Sequence, residues 1–311
     1  MNIFPLIITR KPTSRDGFII VAVLWILGAL ATLATIYSVY VINTAVALTV
    51  HDEHLQGEAL VSAGVEVAAY KMLAIPNAQP TRGRFGFHAN RADVVVEFRS
   101  EAARIDLNAA PKVLLAGLFT ALGARAELAD VYADRILAWR SPPRPGTLDD
   151  DASAYRAAGL SYVPRHGPFP HTGELYLVLG LPEVMVERAL PFVTVYSGQA
   201  QVNLFDAAPE VIASLPGMTP TALQDVLAGR ESKPQNAQDL ISALGPARGL
   251  ATTTASKAVR VTVQVNFENG RRMRSEAVIL LRDSGNEPYG VLSWRELDDL
   301  PEDAPARLGV R

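Results

Sequence analysis

Few side chains in this sequence have the type and spacing needed for metal binding or catalysis. His51 and His54 lie one helical turn apart and Glu58 follows one turn later, so all three could face one metal ion from a helix. The HExxH order of zinc proteases is absent and no further strong ligand accompanies them, which favours a solvated helix. His166 and His171 lie beside prolines, without a GxSxG motif, a P-loop or paired carboxylates. The sequence therefore predicts a protein that is not an enzyme.

The composition excludes several further kinds of site. The chain of 311 residues has no cysteine, which rules out disulfides, thiolate zinc sites, iron–sulfur clusters and cysteine nucleophiles. Its 29 basic and 32 acidic residues give a net charge of −3, so the chain has no general attraction to nucleic acid or to anionic lipid headgroups. Hydrophobic residues make up 49% and charged residues 20%, which indicates a folded chain. The length suggests about two domains, or one domain with a large insertion.

One short segment resembles a nucleic-acid-binding motif. Residues 215–219, with the sequence LPGMT, resemble the hairpin of helix-hairpin-helix modules, whose backbone amides hold DNA phosphates. The second glycine of that hairpin is missing, and Arg230 and Lys233 are the basic residues near enough in sequence to release counterions. We therefore interpret the hairpin as a packing motif and expect no nucleic-acid partner.

A long apolar segment lies near the N-terminus of the chain. Residues 18–50 contain no Asp, Glu, Lys, Arg or His, whereas a helix needs about 20 apolar residues to cross the hydrocarbon core. The segment is too long for the apolar region of an ordinary signal peptide and predicts a retained transmembrane helix. Three basic residues precede it: Arg10, Lys11 and Arg15. The positive-inside rule leaves the N-terminus in the cytoplasm and sends residues 51–311 across the inner membrane, into the periplasm of a bacterium.

The junction before this segment resembles the type IV prepilin signal. A short basic leader ends at Gly17, and the apolar stretch starts abruptly at Phe18. The resemblance implies that a membrane-embedded prepilin peptidase removes residues 1–17, cutting between Gly17 and Phe18, and methylates the new amine of Phe18. Most pilins and pseudopilins have Glu at the fifth residue after the cut, where this chain has Ala22. The absence of that carboxylate resembles the K-type minor pseudopilins of type II secretion.

Hydropathy patterns predict one long helix followed by an antiparallel sheet. From residue 51 to about residue 74 an apolar stripe continues the helix at Val61, Val65, Ala68 and Met72. Helix-breaking residues follow: Pro76, Pro80, Gly83 and Gly86. Apolar alternation over 94–98 predicts a first strand, and the strict alternation over 259–267 predicts the best strand of the chain. Asn269-Gly270 predicts a type I′ turn into two further strands, 273–281 and 289–295.

Between these two halves the sequence repeats itself. The segment 105–114, IDLNAAPKVL, is echoed by the segment 202–212, VNLFDAAPEVI, with one extra residue. In each copy Asn108 or Asp206 is expected to cap a helix through its side-chain oxygen, ahead of a proline in the first turn. The first copy opens a helical region with an amphipathic face, which ends at a Ser-Pro-Pro sequence.

Together with the prepilin junction, four segments resemble general secretion pathway protein K along essentially the whole chain. They are 106–111 (DLNAAP), 162–169 (YVPRHGPF), Glu174-Leu175 with Val178 and Gly180, and 202–204 (VNL). The resemblance implies an α+β fold, in which a pilin-like long N-terminal transmembrane helix packs on an antiparallel sheet and a large all-helical, SAM-like insertion is added. It also implies a structural subunit.

The same resemblance predicts how the chain is divided. A cleaved leader and the transmembrane part of the N-terminal helix come first, at 1–17 and 18–50. The pilin-like domain contributes a soluble helix with the first strands and, later, its C-terminal antiparallel strands, at 51–107 and 258–311. Between them lie a helical insertion with the first SAM-like module and a strand with the second SAM-like module, at 108–188 and 189–257.

Calcium is the one cofactor that the resemblance raises. K-type relatives can bind calcium in the helical insertion through acidic residues around a D-W-x-D-like segment. Here that stretch reads AWRS at 138–141, so those carboxylates are absent. The run Asp149, Asp150 and Asp151 is the remaining weak candidate, since calcium takes about six to eight oxygen ligands. We expect no cofactor and a solvated acidic loop at this position.

The resemblance implies a minor pseudopilin that caps the tip of the periplasmic pseudopilus and primes its assembly for export of folded proteins across the outer membrane. The implied partners are minor pseudopilins of the I and J types, other pseudopilus subunits, the prepilin peptidase and the inner-membrane secretion platform. An uncleaved single-span periplasmic binding protein is the alternative, and a DNA-binding helix-hairpin-helix protein is a further one.

Overall fold

The computed structural model describes residues 14–74, 80–143, 150–232, 240–242, 244–282 and 287–297. The chain divides into two compact units, Met1–Ala59 and Leu60–Arg311. Helix α1 (Ser14–Leu73) begins in the first unit, where the stretch Phe18–Thr44 has a mean hydropathy of 2.6 and is long enough to cross a membrane. Its large side chains are exposed, which agrees with the predicted transmembrane segment.

The second unit contains a five-stranded antiparallel sheet. Its strands, numbered along the chain, are β1 (Arg82–Ala89), β2 (Ala92–Ser100), β7 (Ala258–Phe267), β8 (Arg272–Leu281) and β9 (Tyr289–Leu297). They pair in this order, and each neighbouring pair is antiparallel. The alternation in β7 places its valines on one face and polar side chains on the other. The predicted α+β class, with an apolar N-terminal helix and an antiparallel sheet, is confirmed.

Strand β1 differs from the sequence prediction. Gly83 and Gly86, predicted to interrupt the chain ahead of a first strand over 94–98, lie within β1, so the predicted first strand is the second one, β2. Gly83 pairs with Phe98, and a Cβ on Gly83 would lie 2.4 Å from Phe98 Cζ. The glycine therefore leaves room for an aromatic ring on the neighbouring strand, and it does not break the chain.

The C-terminal part of α1 packs on one face of the sheet. The predicted stripe is buried at exposures of 1% or less, together with valines of β2 and β7; it consists of Val61, Val65, Ala68 and Met72. At Gly64 a Cβ would lie 2.9 Å from Val263 Cγ1, so the helix backbone approaches the sheet closely. The prediction that the helix continues to about residue 74 with this apolar face is confirmed.

A large insertion separates two strands that are neighbours in the sheet. Residues 101–257 leave the sheet at the end of β2 and return at the start of β7. The described α-helices in it are α2 (Lys112–Ala121), α3 (Ala126–Arg140), α4 (Asp150–Ala157), α5 (Glu183–Ala189), α6 (Pro209–Ala213) and α7 (Pro220–Ser232). Short 3-10 helices cover Glu101–Ala103, Thr172–Leu177, Leu190–Phe192 and Gly245–Leu250. One apolar core runs through the insertion and includes the fully buried Leu118, Ile136 and Leu204.

The sequence repeat corresponds to a repeated structure. Two short parallel strand pairs enclose two helical modules: β3 (Ile105–Asp106) with β4 (Val193–Thr194), and β5 (Val202–Asn203) with β6 (Ala251–Thr252). The next residue of each copy extends the pairing. The amide of Leu107 donates to the carbonyl of Thr194 at 2.8 Å, and the amide of Leu204 donates to the carbonyl of Thr252 at 3.0 Å. Each copy of the repeat therefore opens one module, which its paired strand closes.

The polar side chains that stabilise the first turn of each repeat lie earlier in the sequence than predicted. Asn108 and Asp206 do not cap the helices, because neither α2 nor α6 has a side-chain cap. Instead, Asp106 Oδ1 accepts a hydrogen bond from the amide of Asn108 at 2.7 Å, and Asn203 Oδ1 accepts one from the amide of Phe205 at 2.9 Å. The side chain at the end of each short strand reaches the amide two residues on, so it stabilises the turn before the helix.

Candidate functional site

The predicted processing junction lies in helix α1. Gly17 is part of the helix, the Phe18 side chain is 75% exposed, and Ala22 is half-buried. Further along the segment, threonine hydroxyls donate to carbonyl oxygens four residues earlier at 2.8 to 2.9 Å, at Thr32, Thr35 and Thr44. These hydroxyls are satisfied without water, as a hydrocarbon environment requires.

A buried charge network joins the insertion to the sheet. Glu101 follows β2 and is 1% exposed; its carboxylate accepts hydrogen bonds from Arg260 on β7, at 2.7 and 3.1 Å, and from the hydroxyl of Thr194 on β4. Arg260 also donates to Glu276 on β8, which accepts two further bonds from Arg295 on β9, at 2.6 and 2.9 Å. We name these five residues the root network, because they lie where the insertion leaves the sheet.

The charges of the root network stabilise one another. Burial alone would raise the pKa of Glu276, but Arg260 and Arg295 hold that pKa below the ordinary value of a glutamate. Burial alone would lower the pKa of Arg260, but Glu101 and Glu276 raise it above its ordinary value. The contribution of Glu276 to stability is therefore present above the pKa of an unfolded glutamate, and it is lost as the pH falls through the lower pKa of the folded chain.

Three of the four segments that carry the family resemblance, 106–111, 162–169 and Glu174-Leu175, lie close together within the first module. Phe169 stacks on Trp139 with ring centroids 6.2 Å apart, and Trp139 Nε1 donates to Glu174 at 3.0 Å. Arg165 pairs with the same carboxylate. The side chain of Asn108 exchanges two hydrogen bonds with the backbone of Phe169, at 2.7 and 3.0 Å. These residues therefore hold the module together, and their contacts are with one another.

The histidines singled out from the sequence make local contacts. His54 Nε2 lies 3.3 Å from Glu58 Oε1 on α1, and the side chain of His51 lies outside the described residues. His166 Nδ1 lies 3.0 Å from the carbonyl oxygen of Ser141. Within the part of the chain that the structure describes, no group of three or more His, Asp or Glu is placed to hold a metal ion.

The weak calcium candidates are described only in part. Asp149 lies outside the described residues, as does the side chain of Asp150, which begins α4. The Asp151 side chain is 40% exposed, and its carboxylate lies 3.1 Å from the guanidinium of Arg135. That cation competes with calcium for the same oxygen atoms. The expectation that the chain needs no calcium stays a prediction.

We expect calcium to leave the melting temperature of the purified chain nearly unchanged, because Arg135 engages the one described carboxylate of the acidic run. The measurement is thermal unfolding in calcium chloride and in EDTA. Two results together would contradict this prediction. Calcium would have to raise the melting temperature by a large amount that EDTA reverses, and changing residues 149–151 to Asn would have to abolish that rise. The control variant Asp130→Asn with Asp134→Asn removes two carboxylates that pair with Lys112 elsewhere in the insertion.

The hairpin-like segment 215–219 connects α6 to α7. Gly217 has φ of +77°, a conformation that favours glycine, and Leu215 is buried. Arg230 donates to the carbonyl oxygen of Ala207 at 2.8 Å, and Lys233 lies outside the described residues. The structure therefore gives Arg230 a role inside the second module.

The root network was not predicted from the sequence. Glu101 and Arg260 are 159 positions apart, so nothing local relates them. Arg260 lies on the polar face of β7, where strict alternation predicts a solvent-exposed side chain, so its burial has no signal in the strand itself. Another long-range arginine contact lies inside the first module, where Arg140 at the end of α3 donates to the carbonyls of Leu107 and Ala110.

These observations define a pilin-like protein: an apolar N-terminal helix whose second part packs on an antiparallel sheet, with a helical insertion between two neighbouring strands. Residues 93–198 match the family model described as Type II secretion system (T2SS), protein K. The matched residues, about a third of the chain, run from β2 through the first module to β4 and are therefore similar to protein K of type II secretion systems.

The fold is similar to that of a solved structure. The match is to a chain of the crystal structure of the GspK–GspI–GspJ complex from the Type 2 Secretion System of enterotoxigenic Escherichia coli. The TM-score is 0.59 at 15% sequence identity, and the match covers 80% of this chain and 98% of that chain. At this identity the likeness shows the fold. None of the curated proteins matches the sequence.

Proposed function

We propose that this chain caps the tip of the periplasmic pseudopilus of a type II secretion system and primes its assembly for export of folded proteins across the outer membrane. Residues 18–50 anchor it in the bacterial inner membrane, with the N-terminus in the cytoplasm and residues 51–311 in the periplasm. The basic residues ahead of the helix support this orientation. The role is structural and includes no catalytic step.

The observation that carries the proposal is Ala22. Burying a charged side chain in a bilayer costs free energy, up to about 2.5–3.5 kcal/mol at the centre, so a glutamate at position 22, inside the apolar segment, is stabilised by a partner of opposite charge. In a pilin-like stack that partner is the Phe amine of the subunit already in place, and the first subunit has no predecessor. With Ala22 it carries no unmatched carboxylate into the membrane. Cleavage before Phe18 still leaves it an amine that can receive the glutamate of the next subunit.

The insertion supports the same position. Ser100 at the end of β2 pairs with Val259 at the start of β7, so the insertion leaves the sheet and rejoins it at the same end. Bulk at one end of a subunit blocks the addition of another subunit above it. A filament accepts such a subunit at its end and not within its shaft.

The partners that we infer are minor pseudopilins of the I and J types, the other pseudopilus subunits, the prepilin peptidase and the inner-membrane platform. The similarity of residues 93–198 to the family model of protein K supports the first two. GspK, GspI and GspJ form the complex in which a chain of similar fold was solved.

The mass of the membrane-extracted chain tests the processing step. We expect a chain that begins at a methylated Phe18, and we expect Gly17→Leu to block the cut, because a small residue admits the peptidase. The control Gly28→Leu adds the same side chain where no atom lies within 4 Å of a Cβ, and it is expected to be cleaved normally. An intact Met1 in the unchanged protein would favour the alternative, an uncleaved single-span periplasmic binding protein.

Cross-linking of α1 tests the tip position. The chain has no cysteine, so Ile19→Cys introduces a single thiol near the cytoplasmic end of the helix. We expect cross-linked neighbours on one side only. Adding Ala22→Glu is expected to lower the yield of cross-linked neighbours, because the first subunit then carries an unmatched carboxylate into the membrane, whereas Ala22→Gln, which has the same shape without the charge, is expected to lower it less. The proposal would be contradicted if the subunit with Ala22 were found repeatedly along the shaft, with cross-linked neighbours on both sides.

A further inference from the structure

A groove on the face of the sheet away from α1 carries a surplus of positive charge. Its volume is about 600 Å³, and residues of β1, β2, β7 and β8 line it together with the chain that follows β2. Three glutamates in its lining are Glu97, Glu101 and Glu276. Six arginines accompany them: Arg82, Arg84, Arg99, Arg104, Arg260 and Arg274. We name this set of residues the arginine groove.

Each glutamate of the arginine groove already binds an arginine. Glu97 Oε1 lies 3.3 Å from Nε of Arg84. Glu101 accepts a hydrogen bond from Arg260 at 2.7 Å, and Glu276 accepts one from the same guanidinium. The described lining therefore offers no free carboxylate to its other arginines.

Three arginines of the groove have no such partner. Among the described residues, the guanidinium groups of Arg99, Arg104 and Arg274 form neither a hydrogen bond nor an ion pair. The strand register places Arg99 opposite Arg82 on one side and opposite Arg260 on the other. Like charges directly opposite each other destabilise a sheet. Burial and the nearby Arg260 also lower the pKa of Arg104 below its ordinary value.

The unpartnered arginines are spread along the groove. Arg99 lies in the cross-strand row of Arg260, and Arg274 lies in the row of Gln264, further along β7. At a rise of about 3.3 Å per residue, these two rows are roughly 13 Å apart. A single small anion does not bridge that distance. An extended chain that carries several carboxylates does.

We propose that the arginine groove binds an acidic peptide segment of a partner protein, whose Asp and Glu side chains pair with Arg99, Arg104 and Arg274. A guanidinium group matches a carboxylate with two parallel hydrogen bonds. The ion pairs that groove arginines already form are all with carboxylates, including that of Arg82 with Asp206 at 3.5 Å. This proposal does not depend on the tip position proposed above.

Fluorescence anisotropy on the full chain in detergent micelles tests the groove. The probe is a fluorescein-labelled peptide of four glutamates separated by glycines, and its glutamine analogue is the blank. We expect saturable binding of the glutamate peptide at low salt. The double variant Arg99→Gln with Arg274→Gln is expected to bind about tenfold more weakly or worse. Both side chains are exposed, and an unchanged melting temperature verifies that the variant is folded.

The matched control removes the same charge elsewhere. Arg125→Gln with Arg156→Gln neutralises two exposed arginines of the insertion, and we expect its affinity to stay within about twofold of the unchanged chain. An equal loss in both double variants, or no binding by the unchanged chain, would overturn the proposal. Binding of inorganic phosphate or of a single-stranded oligonucleotide as tightly as the peptide would also overturn it, because the groove would then be a general anion site.

Discussion

Replacement of Arg260 by methionine is expected to lower the free energy of unfolding by about 3–5 kcal/mol, because it leaves two buried carboxylates without their shared cation. The side chains of Glu101 and Glu276 are 1% and 11% exposed, and that of Arg260 is 13% exposed. Glu276 keeps its hydrogen bonds from Arg295, but Glu101 loses both of its hydrogen bonds from a guanidinium group. The measurement is denaturant unfolding of the full chain in detergent, followed by the fluorescence of the buried Trp139.

Two further variants separate the buried charge from the loss of packing. Arg84→Met breaks the exposed pair with Glu97, whose side chains are 70% and 57% exposed, and is expected to cost no more than about 0.5 kcal/mol. Neutralising both carboxylates of the Arg260→Met chain, with Glu101→Gln and Glu276→Gln, is expected to recover most of the loss. Equal stabilities for Arg260→Met and Arg84→Met would contradict this account of the root network.

The cost of Arg260→Met is also expected to shrink in acid. In the unchanged chain, Glu276 stabilises the fold above the pKa of an unfolded glutamate, because its own pKa in the folded state is lowered. As the pH falls through that lower value, the contribution disappears. In the variant, protonation removes the unpaired negative charge. The two unfolding free energies should therefore converge as the pH falls below the pKa of an unfolded glutamate and through the lower pKa of Glu276 in the folded chain.

Gly117→Ala is expected to destabilise the chain by about 2 kcal/mol or more, although alanine favours a helix over glycine by roughly 1 kcal/mol. Gly117 lies in α2, and a Cβ there would lie 2.0 Å from the carbonyl oxygen of Ser214 at the end of α6. The obstacle is backbone and cannot rotate away. The first module would have to move off the second, which should appear in denaturant unfolding as a lower midpoint.

Gly229→Ala provides the matched control in helix α7. The closest atom to a Cβ there is Leu240 Cδ2, at 2.6 Å, which is the far end of a flexible side chain. We expect this variant to stay within about 1 kcal/mol of the unchanged chain, since helix propensity offsets the repacking. A Gly117→Ala chain as stable as the Gly229→Ala chain would show that α2 and α6 do not need this close backbone contact.

Local patterns predicted much of the fold. The strict alternation of β7 and the apolar stripe of α1 each indicate one buried face, which is determined by residues close together in the sequence. The type I′ turn predicted at Asn269-Gly270 is wrong, because Phe267 pairs with Arg271 and Gly270 alone of the two turn residues has a positive φ, of +86°. Strand β1 was missed because two glycines hid its alternation, and the reason for Gly83 is a ring on another strand. The helix caps predicted at Asn108 and Asp206 are wrong for a related reason. The side chains that bind the amides of the turns are Asp106 and Asn203, which lie two and three positions earlier in the sequence.

Sequence reasoning led to the processing junction but not to the root network, because their residues differ in how far apart they lie along the chain. Gly17, Phe18 and Ala22 are contiguous enough to be recognised as a signal, so the sequence alone led to them. The root network depends on Glu101 meeting Arg260 across the whole insertion, and no window of sequence contains both residues. The arginine groove was not predicted for the same reason, because its charged residues come from four strands, of which β1 and β2 are far from β7 and β8 in the sequence.

The position of the insertion has a consequence for the order of folding. Ser100 and Ser256 lie at its two ends, and the amide of Ser256 donates to Ser100 Oγ at 2.8 Å. For an unfolded loop the entropy lost on closure rises by about 0.6 kcal/mol with each doubling of length. Once the two modules have folded, however, their parallel strand pairs bring distant segments together before the sheet forms. The pairing of β2 with β7 then resembles the closing of a short hairpin, so a variant that slows the folding of the modules should slow the completion of the sheet as well.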